Sequence, residues 1–105
     1  MQIQVRTDHN IQGDERLAEY VEDVLTDSLS RFSNDITRIE VHFADENGDK
    51  SGEQDTRCTL EARVRGRKPT VVTAHAANVK DSLGSAADKL ASAIEKELGR
   101  ARRVR

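Results

Sequence analysis

The segment from Asn78 to Arg105 constrains this chain more than any other feature. Val79, Leu83, Ala86, Ala87, Leu90, Ile94, Leu98 and Ala101 recur at the three- and four-residue spacing that lines one face of a long helix. Such a stripe requires an apolar surface to cover. Lys80, Asp81, Ser85, Asp88, Lys89, Ser92, Glu95 and Lys96 fill the other side, and Arg100, Arg102, Arg103 and Arg105 crowd the end. Arginines at that place suit the negative end of the helix dipole, and they equally suit a polyanion.

The surface for the stripe comes from four short segments with period-two alternation, the mark of strands buried on one face. Gln2 to Arg6 points Ile3 and Val5 inward, and Ile36 to Ala44 points Ile39, Val41 and Phe43 inward with Arg38, Glu40 and His42 outward. Arg57 to Arg65 sets Cys58, Leu60, Ala62 and Val64 against an outward row of Arg57, Thr59, Glu61, Arg63 and Arg65. Gly66-Arg67-Lys68-Pro69 supplies a hairpin turn, and Thr70 to Ala76 forms the last strand. A first helix is predicted from Glu15 to Phe32, capped by Asp14; it carries Leu17, Tyr20, Val21, Val24, Leu25, Leu29 and Phe32 inward. Glu19, Glu22, Asp23, Thr26, Asp27 and Ser30 make its other side acidic, and Asn78 caps the last helix. The segment from Asp45 to Asp55 contains no apolar residue and is expected to be a mobile surface loop.

The order β-α-β-β-β-α, with a right-handed first crossover, predicts an α+β two-layer sandwich. Strands one and two pair in parallel, the rest form an antiparallel meander, and both helices cover one face of a four-stranded mixed sheet. Residues 1–105 then make one domain, with Arg38, Arg57, Arg63 and Arg65 on the wet face.

Charge divides sharply along the chain. Residues 1–56 hold 5 basic and 14 acidic side chains, a net of -9, whereas residues 57–105 hold 12 and 5, a net of +7; the whole carries -2. A dipolar molecule of this kind can turn a basic surface to a polyanion and its acidic surface away. With two Phe, one Tyr and no Trp, it lacks side chains for recognising single strands by base stacking. The basic candidates fall in two groups: Arg57, Arg63, Arg65, Arg67 and Lys68 around the hairpin, and Lys89, Lys96, Arg100, Arg102 and Arg103 along the last helix.

Cys58 is the only cysteine, which excludes an internal disulfide and fits a reducing cytoplasm. The opening residues lack the pattern of a signal peptide, and no stretch approaches the length of a membrane span. Catalytic and metal sites are poorly supported. Cys58 lies on an inward row and His42 on an outward one, so the two cannot form a nucleophile pair. Asp45-x-Asn47-x-Asp49 begins like a calcium loop, but Lys50 stands where glycine is needed and Thr56 where the bidentate glutamate belongs. His9, His42 and His75 are scattered, and there is no glycine-rich phosphate loop. No cofactor is expected.

The opening Met-Gln-Ile strand, Leu17-Ala18-Glu19-Tyr20-Val21, Arg31-Phe32 before the second strand, and Ala87-Asp88-Lys89-Leu90 with Ile94 and Lys96 resemble the ribosome hibernation-promoting factor and ribosome-associated inhibitor family (HPF/RaiA), in its short form. The resemblance covers nearly the whole chain. It implies a bacterial, non-enzymatic, cytoplasmic protein that binds ribosomal RNA of the small subunit in the channel for messenger and transfer RNA. It also implies that translation is inhibited there in stress or stationary phase. Carried over by position, Lys89 and Lys96 match basic positions of the last helix, Arg100, Arg102 and Arg103 extend its end, and Arg31 is a further candidate. The chain departs from the family where Val24 and Asp27 occupy places usual for lysine, and where Ser92 replaces a basic residue. The acidic first helix therefore admits a second reading, a protein-interaction module on an inherited fold. Self-association is compatible with either.

Overall fold

The computed structural model describes residues 1–46 and 55–103, the last four as backbone alone. Most of the loop expected between Asp45 and Asp55, with its calcium-like spacing, lies outside the described residues, as does Arg105. The elements are β1 (Gln2–Thr7), α1 (Glu15–Ser28), a 3-10 turn (Ser30–Phe32), β2 (Ile36–Asp45), β3 (Thr56–Val64), β4 (Thr70–Ala76) and α2 (Val79–Arg103). The sheet has the order β1-β2-β3-β4, with β1 parallel to β2 and the other pairs antiparallel. This is the expected α+β sandwich, with both helices on one sheet face.

Cross-strand register shows how alternation builds two different faces. Val5, Val41, Leu60 and Val72 align in one inward row, and Thr7, Phe43, Cys58 and Ala74 in the next. Against them lie Val21, Leu25 and Leu29 from the first helical region and Leu83, Ala86, Ala87, Leu90 and Ile94 from α2, all buried. Complete burial of one such leucine or isoleucine contributes about 1.5–3 kcal/mol. The opposite face carries the row Gln4, Glu40, Glu61 and Val71 and the row Arg6, His42, Thr59 and Thr73.

Three local features differ from simple periodicity. First, α1 stops at Ser28 instead of continuing to Phe32. Leu29 leaves helical geometry (φ -115, ψ 15) although its N–H still donates to the Leu25 carbonyl. The serines at 28, 30 and 33 are weak helix formers, and the tighter turn still buries Phe32 while redirecting the chain into β2. Second, strict alternation from Ile39 would put Ile36 outside, yet Ile36 is 1% exposed. A register shift between Ile36 and Arg38 turns Thr37 and Arg38 both outward and returns Ile36 to the core. Third, β3 ends at Val64, so Arg65 belongs to the turn and not to the sheet face assigned to it.

Both helix caps form as their sequences specify. The Asp14 carboxylate accepts the Leu17 N–H at 3.0 Å, and the Asn78 side-chain oxygen accepts the Asp81 N–H at 2.8 Å. Leu60→Ala, in the centre of the sheet, should lower unfolding free energy by about 2–5 kcal/mol. Asn78→Ala should lower it by about 0.5–2 kcal/mol. Urea titration followed by circular dichroism reads both as lowered midpoints, with the larger shift for Leu60→Ala.

Candidate nucleic-acid interface

Contacts at each end of the helices show that α1 and α2 run in the same direction. Near their N-termini the Lys80 ammonium sits 5.0 Å from the Tyr20 ring centroid; past the end of α1, Arg31 Nη2 lies 3.4 Å from Glu95 Oε2. Parallel helices bring both C-terminal ends to the side of the molecule where β2 starts and β3 ends. The β3–β4 turn lies there too. Residues that are far apart in the chain thus meet at one end.

The turn is tightly pinned. Gly66 has φ 73, a left-handed conformation that lets the Arg67 N–H reach back to the Val64 carbonyl at 3.0 Å. Arg65 N–H donates to the Asp35 carbonyl at 2.7 Å, which fixes the turn to the start of β2. Glu97 fastens its other side to α2: Oε1 lies 3.5 Å from Arg67 Nη1, and Oε2 accepts the Thr70 hydroxyl at 3.0 Å. From Glu97 the helix continues roughly 9 Å to Arg103, so its arginine-rich end extends beside the turn.

The sequence-selected cations separate into two groups. Arg63, Arg65, Lys68 and Lys96 are exposed and have no ion-pair partner among the described residues. Arg100, Arg102 and Arg103 occupy the last turn of α2, described as backbone. The others are already engaged. Arg31 meets Glu95 and lies 4.8 Å from the Phe32 ring centroid, Arg67 meets Glu97, and Lys89 Nζ donates to the Thr73 carbonyl at 3.0 Å. Lys89 therefore covers an open carbonyl on edge strand β4, away from the turn. On the outer sheet face, Arg38 pairs with Glu40 at 3.0 Å and with Gln4, and Arg57 pairs with Glu46 at 3.1 Å.

The flank formed by α1 has the opposite character. Glu15, Glu19, Glu22, Asp23 and Asp27 are all exposed and form no ion pair with a described residue. A cleft of about 470 Å³ between the helices is lined by Asp27, Ser30, Arg31, Asp88 and Ser92 among others. Arg31 there is opposed by Glu95, and both side chains are more than half exposed, so their attraction is weak and screened. Sequence reasoning missed Glu97 as the residue joining hairpin to helix. No local signal marks it, because its partners lie 27 and 30 positions away.

Cys58 and His42 lie on opposite faces of the sheet, as their strand positions imply. Cys58 is 0% exposed on the inner sheet face, and burial pushes its thiol up to about 12, leaving it protonated at neutral pH. No described helix is long and apolar enough to cross a membrane.

These elements define a class: a two-layer β-α-β-β-β-α domain with one basic end and one acidic flank. The chain belongs to the family described as Sigma 54 modulation protein / S30EA ribosomal protein, whose model matches residues 3–102, and this bears out the HPF/RaiA resemblance. Its fold is similar to that of the Thermus thermophilus Protein Y N-terminal domain, with a TM-score of 0.73, 17% identity, and coverage of 91% of this chain and 98% of that one. It is also similar to a ribosomal subunit interface protein from Coxiella burnetii, with a TM-score of 0.74, 17% identity, and coverage of 94% and 99%. Comparison of the sequence with curated proteins gives no match.

A thiol reagent should label Cys58 only when the protein is unfolded, and the labelling rate should track the urea unfolding curve. Prompt labelling of the native protein would contradict the burial described here.

Proposed function

We propose that this protein is a ribosome-associated hibernation factor of the bacterial cytoplasm that binds ribosomal RNA of the small subunit. It occupies the channel used by messenger and transfer RNA and inhibits translation under stress or in stationary phase. The action is steric and needs neither catalysis nor cofactor. Family membership across residues 3–102 supports the ribosomal partner. The observation that supports the surface is the joining of the β3–β4 turn to α2 through Glu97, which brings the end of β3 and the turn, with Arg63, Arg65 and Lys68, to the same end of the molecule as the last turns of α2, with Lys96, Arg100, Arg102 and Arg103. Clustered cations on a firm backbone suit phosphate contacts, which position a protein on RNA without reading its sequence. Arg31, Arg67 and Lys89 belong to the same proposed set, but each would first have to give up or share an internal partner.

A second reading is favoured by the unpaired acids of α1: the helix is a docking face for a basic protein, carried on the family fold. The two readings make opposite demands on charge. Under the ribosomal reading, the protein co-sediments with small subunits, and binding falls by roughly two to three orders of magnitude over an about fourfold rise in salt if around five phosphate contacts are made. Replacing Lys96, Arg100 and Arg102 with Glu abolishes it. Under the protein-docking reading, charge reversal at Glu22, Asp23 and Asp27 is the damaging change, and the arginine variants keep their partner.

A further inference from the structure

Phosphate contact requires a cation that is exposed, held on a stable backbone and free of an internal acceptor. Among the described residues, Arg63 at the end of β3 and Arg65 and Lys68 in the turn meet all three conditions. They project from a segment fixed to β2 through Arg65 N–H and the Asp35 carbonyl at 2.7 Å, and to α2 through Glu97. A backbone already ordered in this way lowers the entropy lost on binding. Of the cations on or beside the helices, Arg31 and Lys89 are engaged with Glu95 and the Thr73 carbonyl, and Lys80 sits by the Tyr20 ring at the other end. The cleft between α1 and α2 adds Asp27 and Asp88, and the exposed side of α1 adds Glu15, Glu19, Glu22 and Asp23. Phosphates laid along the helices would meet mainly carboxylates.

The helix dipole gives a competing account of the arginines at the end of α2, since cations stabilise a helix C-terminus. It gives none for Arg63, Arg65 and Lys68, which lie on no helix. Base stacking is also unsupported at this end. Phe32 is 7% exposed, Phe43 is 0% exposed, and Tyr20 is half-buried against Lys80 near the other end of the helices. Recognition of backbone and shape in folded RNA remains.

We propose that the chain docks end-on to the phosphate backbone of folded ribosomal RNA, with the β3–β4 turn as principal anchor and α1 turned away from the RNA. This inference rests on the ribosomal reading above and adds an orientation to it: the turn meets the RNA first, the end of α2 lies beside it, and the acidic side of α1 faces away.

The test uses purified small ribosomal subunits and the full chain. Affinity is measured over a range of salt for the wild type, for Arg63→Ala/Arg65→Ala/Lys68→Ala, and for Arg16→Ala/Lys80→Ala, two exposed cations at the opposite end of the helices. The turn variant should lose at least tenfold in affinity, with the slope of log K against log salt reduced in magnitude by about 2–3. The helix variant should stay within about twofold of wild type. All three substituted residues are exposed, and unchanged urea unfolding separates lost binding from lost folding.

Orientation is read separately with Lys68→Cys and Glu22→Cys carrying a photocrosslinker, which is possible because native Cys58 is 0% exposed. Lys68→Cys should crosslink to ribosomal RNA and Glu22→Cys should not. If the wild type binds but the turn variant keeps its affinity and slope, or Glu22→Cys crosslinks as well as Lys68→Cys, end-on docking is overturned while the ribosomal reading stands. If the wild type fails to bind small subunits even at low salt, the ribosomal reading fails and this inference falls with it.

Discussion

Coverage of one sheet face by two parallel helices is the constraint on which the rest of the molecule depends. The sheet cannot leave Ile39, Val41, Phe43, Leu60 and Cys58 in water, and α2 cannot leave Leu83, Leu90 and Ile94 there. Each solves the problem of the other. Small buried residues on both sides, Ala62 and Ala74 in the sheet and Ala86 and Ala87 on α2, leave room for close approach of helix and sheet. With α2 seated in this way, Glu97 comes within reach of Arg67 and Thr70, and Lys89 within reach of the edge of β4. The shape of the basic end is thus a consequence of core packing.

Parallel helices also set the electrostatics. Their dipoles point the same way, and part of the charge at their ends follows that direction: Asp14, Glu15 and Asp81 lie at the N-termini and the last arginines at the end of α2, whereas α1 has no basic residue in its last turn. The division from -9 to +7 along the sequence becomes a division in space, though not a simple one. The carboxylates of α1 continue down to Asp27, so the basic end has an acidic flank. A polyanion approaching such a surface is drawn to the end and repelled from the side.

The outer sheet face shows charge used differently. Arg38 lies opposite Arg63, and Glu40 opposite Glu61, in directly paired positions of β2 and β3. Like charges facing each other across a strand pair are unfavourable, and the neighbouring row of opposite sign offsets this, as the 3.0 Å Arg38–Glu40 pair shows. Arg38 is neutralised within the face, whereas Arg63, nearer the turn, has no ion-pair partner among the described residues.

Much of the fold was legible in the sequence because alternation, helical spacing and capping are local signals. Gln2 to Arg6 read as a strand, Asp14 and Asn78 as caps, and the last helix as one element, since each depends on neighbours a few positions away. The end of α1 and the shift at Ile36 were not legible. There the need to bury Phe32 and Ile36 overrides the local period, and that need exists only once the core is assembled. Candidate cations could be found by residue type, but their availability could not. Arg31 and Glu95 stand 64 positions apart, and nothing in their local sequence joins them. By itself the sequence determined the elements, the buried face of each and the total charge of each half. Only the tertiary structure decided which cations are neutralised and which remain free, because electrostatic attraction depends on distance in space and not on separation along the chain.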